Sequence, residues 1–252
     1  MTDGVEFPED PGAFAAERPE AIGGDRSGRG EEPVYAVGIG PGNPEYLTRR
    51  GARAIREADV VVGFETVVGF VGEEITGEAL CCGYEDEPEV LAAFADRVAD
   101  GERGAAVLMG DPNHSGYQFV GKLESAVGAP VRVIPGISSL QIAASRARTP
   151  MEETTFVTLH KSGPIEADLG RLERDVGDRN LLVLPRPFDW MPERIARRLL
   201  EGGASDRSVW VCERLTHDDE SITRTSLSSL AADVDSKEET AFSDLSVMVV
   251  RR

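Results

Sequence analysis

Residues 36–48 read AVGIGPGNPEYLT, an apolar run that opens into three glycines and two prolines before any helical pattern begins. Glycine at 38, 40 and 42 removes Cβ on alternate residues, so the backbone there can take positive φ and lie close against another group. Asn43 suits a capping position, Pro44 suits a first helical turn, and Tyr46, Leu47, Ala54, Ile55 and Ala58 follow at helical spacing. The stretch therefore predicts a strand, a glycine-rich turn and a helix. It also comes close to a dinucleotide fingerprint. Gly38 and Gly40 fit G-x-G-x-x-G and Glu65 after DVVVGF fits the acid, but position 43 is Asn where the third glycine belongs. A tight βα turn that binds nothing is the simpler alternative.

The same alternation continues down the chain. VYAVGIG, VVVG, ALCCG, AAVLMG and VRVIPG are short apolar runs separated by helical patterns, including EPEVLAAFADRVADG and residues 117–126. Five strands alternating with helices predict a parallel sheet covered on both faces. The rhythm resets near RARTPMEE. TTFVTLH, NLLVLP, SVWVCER, SITRTS and LSVMVV then supply a second set of strands, with helices near 165–176, 191–201 and 226–233. DDESITRT is polar and alternating, as an exposed antiparallel strand would be. The expected class is α/β in two domains, 33–150 with a mostly parallel sheet and 151–252 with a mixed sheet, and a cleft between them. Residues 1–32, rich in Gly, Pro and acids, are expected to form a disordered tail.

Composition narrows the partners. Of 252 residues, 45 are acidic and 27 basic, a net charge of −18, and only Lys122, Lys161 and Lys237 among the cations are lysines. Such a surface favours solubility in a salty cytoplasm and lacks the basic stripe that nucleic acid requires. Cys81, Cys82 and Cys212 have no C-x-x-C spacing, so neither a disulfide framework nor a metal site is expected. No apolar run approaches the ~20 residues of a membrane span, and the N-terminus is acidic where a signal peptide is basic. A cytoplasmic protein is expected.

Chemistry in an open parallel sheet belongs beyond the carboxyl ends of the strands. Three loops qualify: GIGPGNP, MGDPNHSGYQ and IPGISSLQ. Asp111 either caps the next helix or binds a ribose or amine, and His114 can line a pocket. Ser138 either caps SLQIAASRA or offers a hydroxyl to a ligand. His160, at the end of a strand, is either a pocket residue or a solvated one. His114, His160 and His217 have no Ser or Cys partner in a nucleophile context, so no catalytic nucleophile or base is assigned.

Together, VGIGPGNPEYLT, GDPNHSG and VIPGISSLQIAA, in this order and spacing, resemble the tetrapyrrole methylase family, which transfers methyl groups from S-adenosylmethionine to porphyrinoid rings. The resemblance covers nearly all of residues 34–252. TFVTLH, VCERLTHDDESITRTSLSSLA and FSDLSVMVV are similar to the cobalamin-pathway branch that methylates C5 of cobalt-precorrin-7, through Glu213 and the run from Glu220 to Leu227. PRPFDWMP departs from the more polar loop expected at that point. The resemblance implies a two-domain homodimer with the cofactor folded in the cleft. It implies cofactor contacts from Ile39, Gly40, Gly110, Asp111, His114, Ser138 and Ser139, and from Arg186, Arg214 and Asp244 in the second half. Pro41, Gly42, His160 and Glu213 are implied to face the substrate ring, the first glycine loop closing over the cleft without cradling a pyrophosphate. A separate enzyme that methylates C15 and decarboxylates is the expected functional partner. A corrinoid carries several carboxylates, so Arg49, Arg50, Arg53, Arg146, Arg148 and Lys161 are the candidate counter-charges.

Overall fold

The structure is a computed structural model that describes residues 5–17, 32–161, 163–187, 189–233 and 240–252. The chain divides into two compact units, Met1–Ser138 and Ser139–Arg252. The first holds β1 (Val34–Gly38), β2 (Val60–Phe64), β3 (Glu78–Cys82), β4 (Gly104–Leu108) and β5 (Val131–Ile134) in one parallel sheet of order β3-β2-β4-β1-β5. The runs are Val, Ile and Ala because both faces are covered. Val37, Val61 and Val107 point to one side, where Ile55, Val67 and Val68 pack. Ala36, Val60, Val62, Ala106 and Leu108 point to the other, against Leu91, Phe94, Phe119 and Leu123. Each large side chain so buried is worth roughly 1.5–3 kcal/mol.

The covering helices of this unit are α2 (Arg49–Glu57), α3 (Glu65–Phe70), α4 (Glu87–Ala99) and α5 (Tyr117–Ala126). The helix expected directly after Pro44 comes in two pieces. Asn43 caps, but what it caps is a 3-10 turn, Pro44–Tyr46, and Thr48 then caps α2 by accepting the Gly51 N–H at 3.0 Å.

A further helix, α1 (Pro11–Ala16), precedes all of these, which corrects the expectation of an unstructured tail for residues 5–17. Asp10 caps it by accepting the Ala13 N–H at 3.0 Å, Ala15 is buried, and Phe7 packs on the same core as α5. It reaches α5 where that helix has Gly121: a Cβ there would stand 1.7 Å from the Pro11 carbonyl oxygen. The other tail residues, 1–4 and 18–31, lie outside the described ones.

The second unit holds α6 (Ser139–Arg146), β6 (Thr154–Thr158), α7 (Glu166–Asp175), β7 (Asn180–Leu184), α8 (Pro192–Glu201), β8 (Ser208–Glu213), β9 (Ser221–Ser226), α9 (Leu227–Asp233) and β10 (Ser246–Val250). Its sheet runs β6-β7-β10-β8-β9, parallel only between β6 and β7. The polar alternating strand SITRTS is the antiparallel edge strand, β9. The core of Leu159, Leu172, Leu181, Ile195, Leu199, Val211, Leu227 and Met248 fills one face. The units part at Ser138, ahead of the expected boundary at 150, because α6 packs on β7 and β10.

Candidate active site

In the first unit, strand order builds the site. β1 lies between β4 and β5, so the segments that follow these three strands leave the sheet side by side. Backbone stitches them together. The Ile39 N–H donates to the Leu108 carbonyl at 2.9 Å; Gly110 donates to the Gly40 carbonyl at 2.7 Å and Gly40 to the Gly110 carbonyl at 3.2 Å. Gly136, from the third segment, completes the knot: a Cβ on it would stand 2.0 Å from the Gly110 oxygen and 2.7 Å from the Gly38 oxygen.

The glycines of the opening stretch therefore serve two purposes. Gly38 is needed for proximity, since a Cβ would lie 2.6 Å from the Gly136 nitrogen. Gly40 and Gly42 are needed for left-handed backbone, with φ of +91° and +123°. Gly110, at φ +64°, differs from both, because a Cβ there would meet only the Ser138 Cα, at 3.8 Å. A methyl group there would sit in ordinary van der Waals contact.

Asp111, only 9% exposed, follows directly. Its Oδ1 accepts from the Asn113 backbone N–H and from the Asn113 amide, both at 2.8 Å, and caps a π-helical turn over Pro112–Gly116 that contains half-buried His114. The capping role of Asp111 is thus realised. Ile39, Gly40, Pro41, Gly42 and Ser138 are buried around the knot, and Ser139 is half-buried where α6 begins. The dinucleotide reading lacks its structural context. A 3-10 turn follows the glycines and α2 starts only at Arg49, so the loop does not feed the N-terminus of a long helix.

In the second unit, the carboxyl ends of β6, β7 and β8 share an edge with the amino end of β10, which runs antiparallel to β7 and β8. His160, Arg186, Glu213, Arg214 and Asp244 all fall at this edge. Glu213 is 8% exposed, and its Oε1 accepts the Ser243 N–H at 2.9 Å. It forms no surface pair with its neighbours: Arg214 pairs with Asp219 at 2.7 Å, and Arg224 lies over the Trp210 ring at 5.1 Å. Arg214 also donates its N–H to the Leu245 carbonyl at 2.9 Å. The Arg186 guanidinium pairs with Asp189 and donates to the Gly163 carbonyl at 3.3 Å. His160 presents surface to solvent, yet desolvation of its ring lowers its pKa, with Asp244 pulling the other way.

The expected counter-charges separate in the same manner. Arg146 is engaged with Glu220 at 2.7 Å and Lys161 with Asp168 at 2.5 Å. Arg49, Arg50 and Arg53 are exposed on α2 and pair with no described acid, and Arg148 is exposed with φ +53°. Burial pushes the Cys82 and Cys212 thiols up to about 12, so both are protonated and unreactive at neutral pH. Among the described residues, no cluster of three or more His, Cys, Asp or Glu is arranged for a metal.

Sequence reasoning missed Gly136, whose role depends on two glycines far away in the chain. It also missed the pairing of Arg146 with Glu220. The one available signal was that Gly136 sits between Pro135 and the two serines at a strand end.

Known proteins resemble this chain in sequence and in fold. A Methanocaldococcus jannaschii protein described as a probable cobalt-precorrin-7 C(5)-methyltransferase is 29% identical over 206 residues, covering 79% of this chain and 91% of its own. A cobalt-precorrin-4 C(11)-methyltransferase of the same organism is 26% identical over 211 residues, covering 80% of this chain and 81% of its own. The fold matches that of uroporphyrin-III C-methyltransferase from Thermus thermophilus, solved in complex with S-adenosyl homocysteine. The TM-score is 0.67 at 24% identity, over 87% of this chain and 92% of that one. The family described as Tetrapyrrole (Corrin/Porphyrin) Methylases matches residues 33–231, which span every strand of both sheets except β10, and the chain belongs to that family.

Proposed function

We propose that the protein is an S-adenosylmethionine-dependent C-methyltransferase that methylates C5 of cobalt-precorrin-7 in cobalamin biosynthesis. The observation that carries the reading is the glycine knot of Gly38, Gly40, Gly110 and Gly136, which holds three strand-end loops together at the carboxyl edge of a parallel sheet. Similarity to the C(5)-methyltransferase over most of both chains supports the ring position. Similarity to a C(11)-methyltransferase favours, as second reading, the same chemistry at another carbon.

S-adenosylmethionine supplies an electrophilic methyl group on a sulfonium, so the chain's work is to position and desolvate. The residues fit such a ligand. Gly110 leaves room for a Cβ beside Ser138, and the buried polar side chains of Asp111 and Ser138 stand next to it in the chain or in space. In this reading Ile39, Gly40, Gly110, Asp111, His114 and Ser138 hold the cofactor from the first unit, and Ser139, Arg186, Arg214 and Asp244 from the second. Pro41, Gly42, His160 and Glu213 face the ring. Glu213 acts by holding the Ser243 N–H, and so the segment that carries Asp244, in place. A homodimer, a cytoplasmic location and a separate C15-methylating, decarboxylating partner complete the proposal.

The test is the product. Incubated with cobalt-precorrin-7 and methyl-labelled S-adenosylmethionine, the protein is expected to place label on C5, read by NMR. Label on another ring carbon moves the protein to the second reading. Calorimetry that finds NADH binding and no S-adenosylhomocysteine binding overturns both.

A further inference from the structure

Arg146 closes α6 and Glu220 precedes β9, yet their side chains meet. The Arg146 Nε donates to Glu220 Oε1 at 2.7 Å and Nη2 to Oε2 at 3.2 Å, a two-pronged grip that lysine cannot reproduce. The same carboxylate reaches back along its own chain, where Oε2 accepts the Thr216 N–H at 2.7 Å. The turn so held is unusual. Between the two glutamates 213 and 220, Arg214 and Thr216 both take left-handed backbone, with φ of +45° and +73°. For a β-branched threonine that conformation persists only where the surroundings enforce it. Successive backbone bonds, His217 N–H to the Arg214 carbonyl and Glu220 N–H to the His217 carbonyl, both 3.0 Å, wind the rest of the turn. Arg146 holds the Glu220 carboxyl below its ordinary range.

The turn begins at the edge of the second sheet that carries Glu213, Arg214 and Asp244. We infer that Glu220, gripped by Arg146, is a positioning residue: it fixes the 214–219 turn in its left-handed form and thereby sets Glu213 and Arg214 for methyl transfer, without itself touching a reactant. The catalytic part rests on the function proposed above; the structural part rests on the geometry alone.

Backbone hydrogen exchange and turnover, measured together on the full chain, test both parts. In Glu220→Ala the Thr216 amide is expected to exchange about ten-fold faster or more, because its charged acceptor is gone, with kcat falling by about the same factor and KM for S-adenosylmethionine rising as the Arg214 contact loosens. Glu220→Gln keeps an oxygen for Thr216 and is expected to retain most protection and most turnover. Unchanged Thr216 exchange in Glu220→Ala overturns the clasp. Faster exchange with wild-type kcat overturns the positioning role. If Glu220→Ala does not fold, Arg146→Lys, which keeps the charge and loses the fork, is judged on the same two measurements. A wild-type chain that methylates no corrinoid refutes the proposed function instead, and the exchange result still decides whether Glu220 holds the turn.

Discussion

Each glycine of the knot makes a separate demand, and substitution separates them. Gly136→Ala puts a methyl group 2.0 Å from a backbone oxygen that cannot rotate away. The three loops must part, and the loss of stability should reach or exceed the ~3 kcal/mol at the upper end of ordinary overpacking. Gly110→Ala meets no such obstacle, only the left-handed backbone at φ +64°, which costs an alanine roughly 1–2 kcal/mol. Its methyl group, however, would stand in the proposed cofactor site. We therefore expect Gly110→Ala to stay folded, with a small drop in melting temperature, and to bind S-adenosylhomocysteine about ten-fold more weakly or worse, a loss of ~1.4 kcal/mol or more. Melting curves and calorimetry on both variants check this, and undiminished affinity in Gly110→Ala would remove Gly110 from the cofactor site. Gly40 cannot serve as this probe. It has a positive φ and a tight contact, 3.1 Å from a Cβ to the Tyr46 carbonyl oxygen, so Gly40→Val would damage the loop whether or not a ligand approaches.

Among the helices, α1 shows how a short element can depend on a distant residue. Six residues cannot hold a helix alone in water. What holds α1 is α5, where Gly121 lets the Pro11 backbone rest on the helix, while Phe7 lies under the Lys122 ammonium at 5.2 Å. Deleting residues 1–17 should lower the melting temperature by roughly 4–8 °C, from a loss of ~2 kcal/mol at ~2–4 °C per kcal/mol. Gly121→Ala in the full chain should reproduce most of that loss by displacing α1. In the truncated chain the same change should be neutral or stabilising by up to ~1 kcal/mol, since alanine is the better helix former. Equal effects in both chains would show that α1 does not dock there. The same comparison explains what the sequence could reveal. The strands were legible because Val, Ile and Ala runs report burial on two faces, and α5 was legible from local periodicity at 117–126. PGAFAA was not, because its partner lies more than a hundred residues away and is marked only by a glycine inside a helix. The site divides the same way: the three loops stand out by composition, whereas the grip of Arg146 on Glu220 joins residues 74 apart that each resemble an ordinary surface charge.

For the molecule as a whole, the excess of 45 acids over 27 bases sets a term that no single contact controls. Several ion pairs among the described residues are exposed on both sides, such as Arg103 with Asp59, Arg194 with Asp189 and Arg252 with Glu153, and exposed pairs contribute ~0–1 kcal/mol each. Salt weakens these pairs and also weakens the mutual repulsion of the surplus carboxylates. The second effect should win, because the pairs are individually weak while the net charge of −18 repels across the surface at every spacing within a Debye length. That length shrinks from ~10 Å at 0.1 M to ~3 Å at 1 M salt. We expect the melting temperature to rise by about 5 °C or more between 0.05 M and 2 M potassium chloride, equivalent to roughly 2 kcal/mol for a chain of this size. Potassium chloride is the salt to use, since sulfate and phosphate would stabilise through exclusion from the surface whatever the charge. Replacing surplus acids such as Glu85, Glu89 and Asp96 on and beside α4 with glutamine or asparagine should raise the low-salt melting temperature and flatten its dependence on salt. A melting temperature that falls with potassium chloride would mean that the surface pairs outweigh the repulsion, and that the acidic excess has no part in adapting the fold to salt.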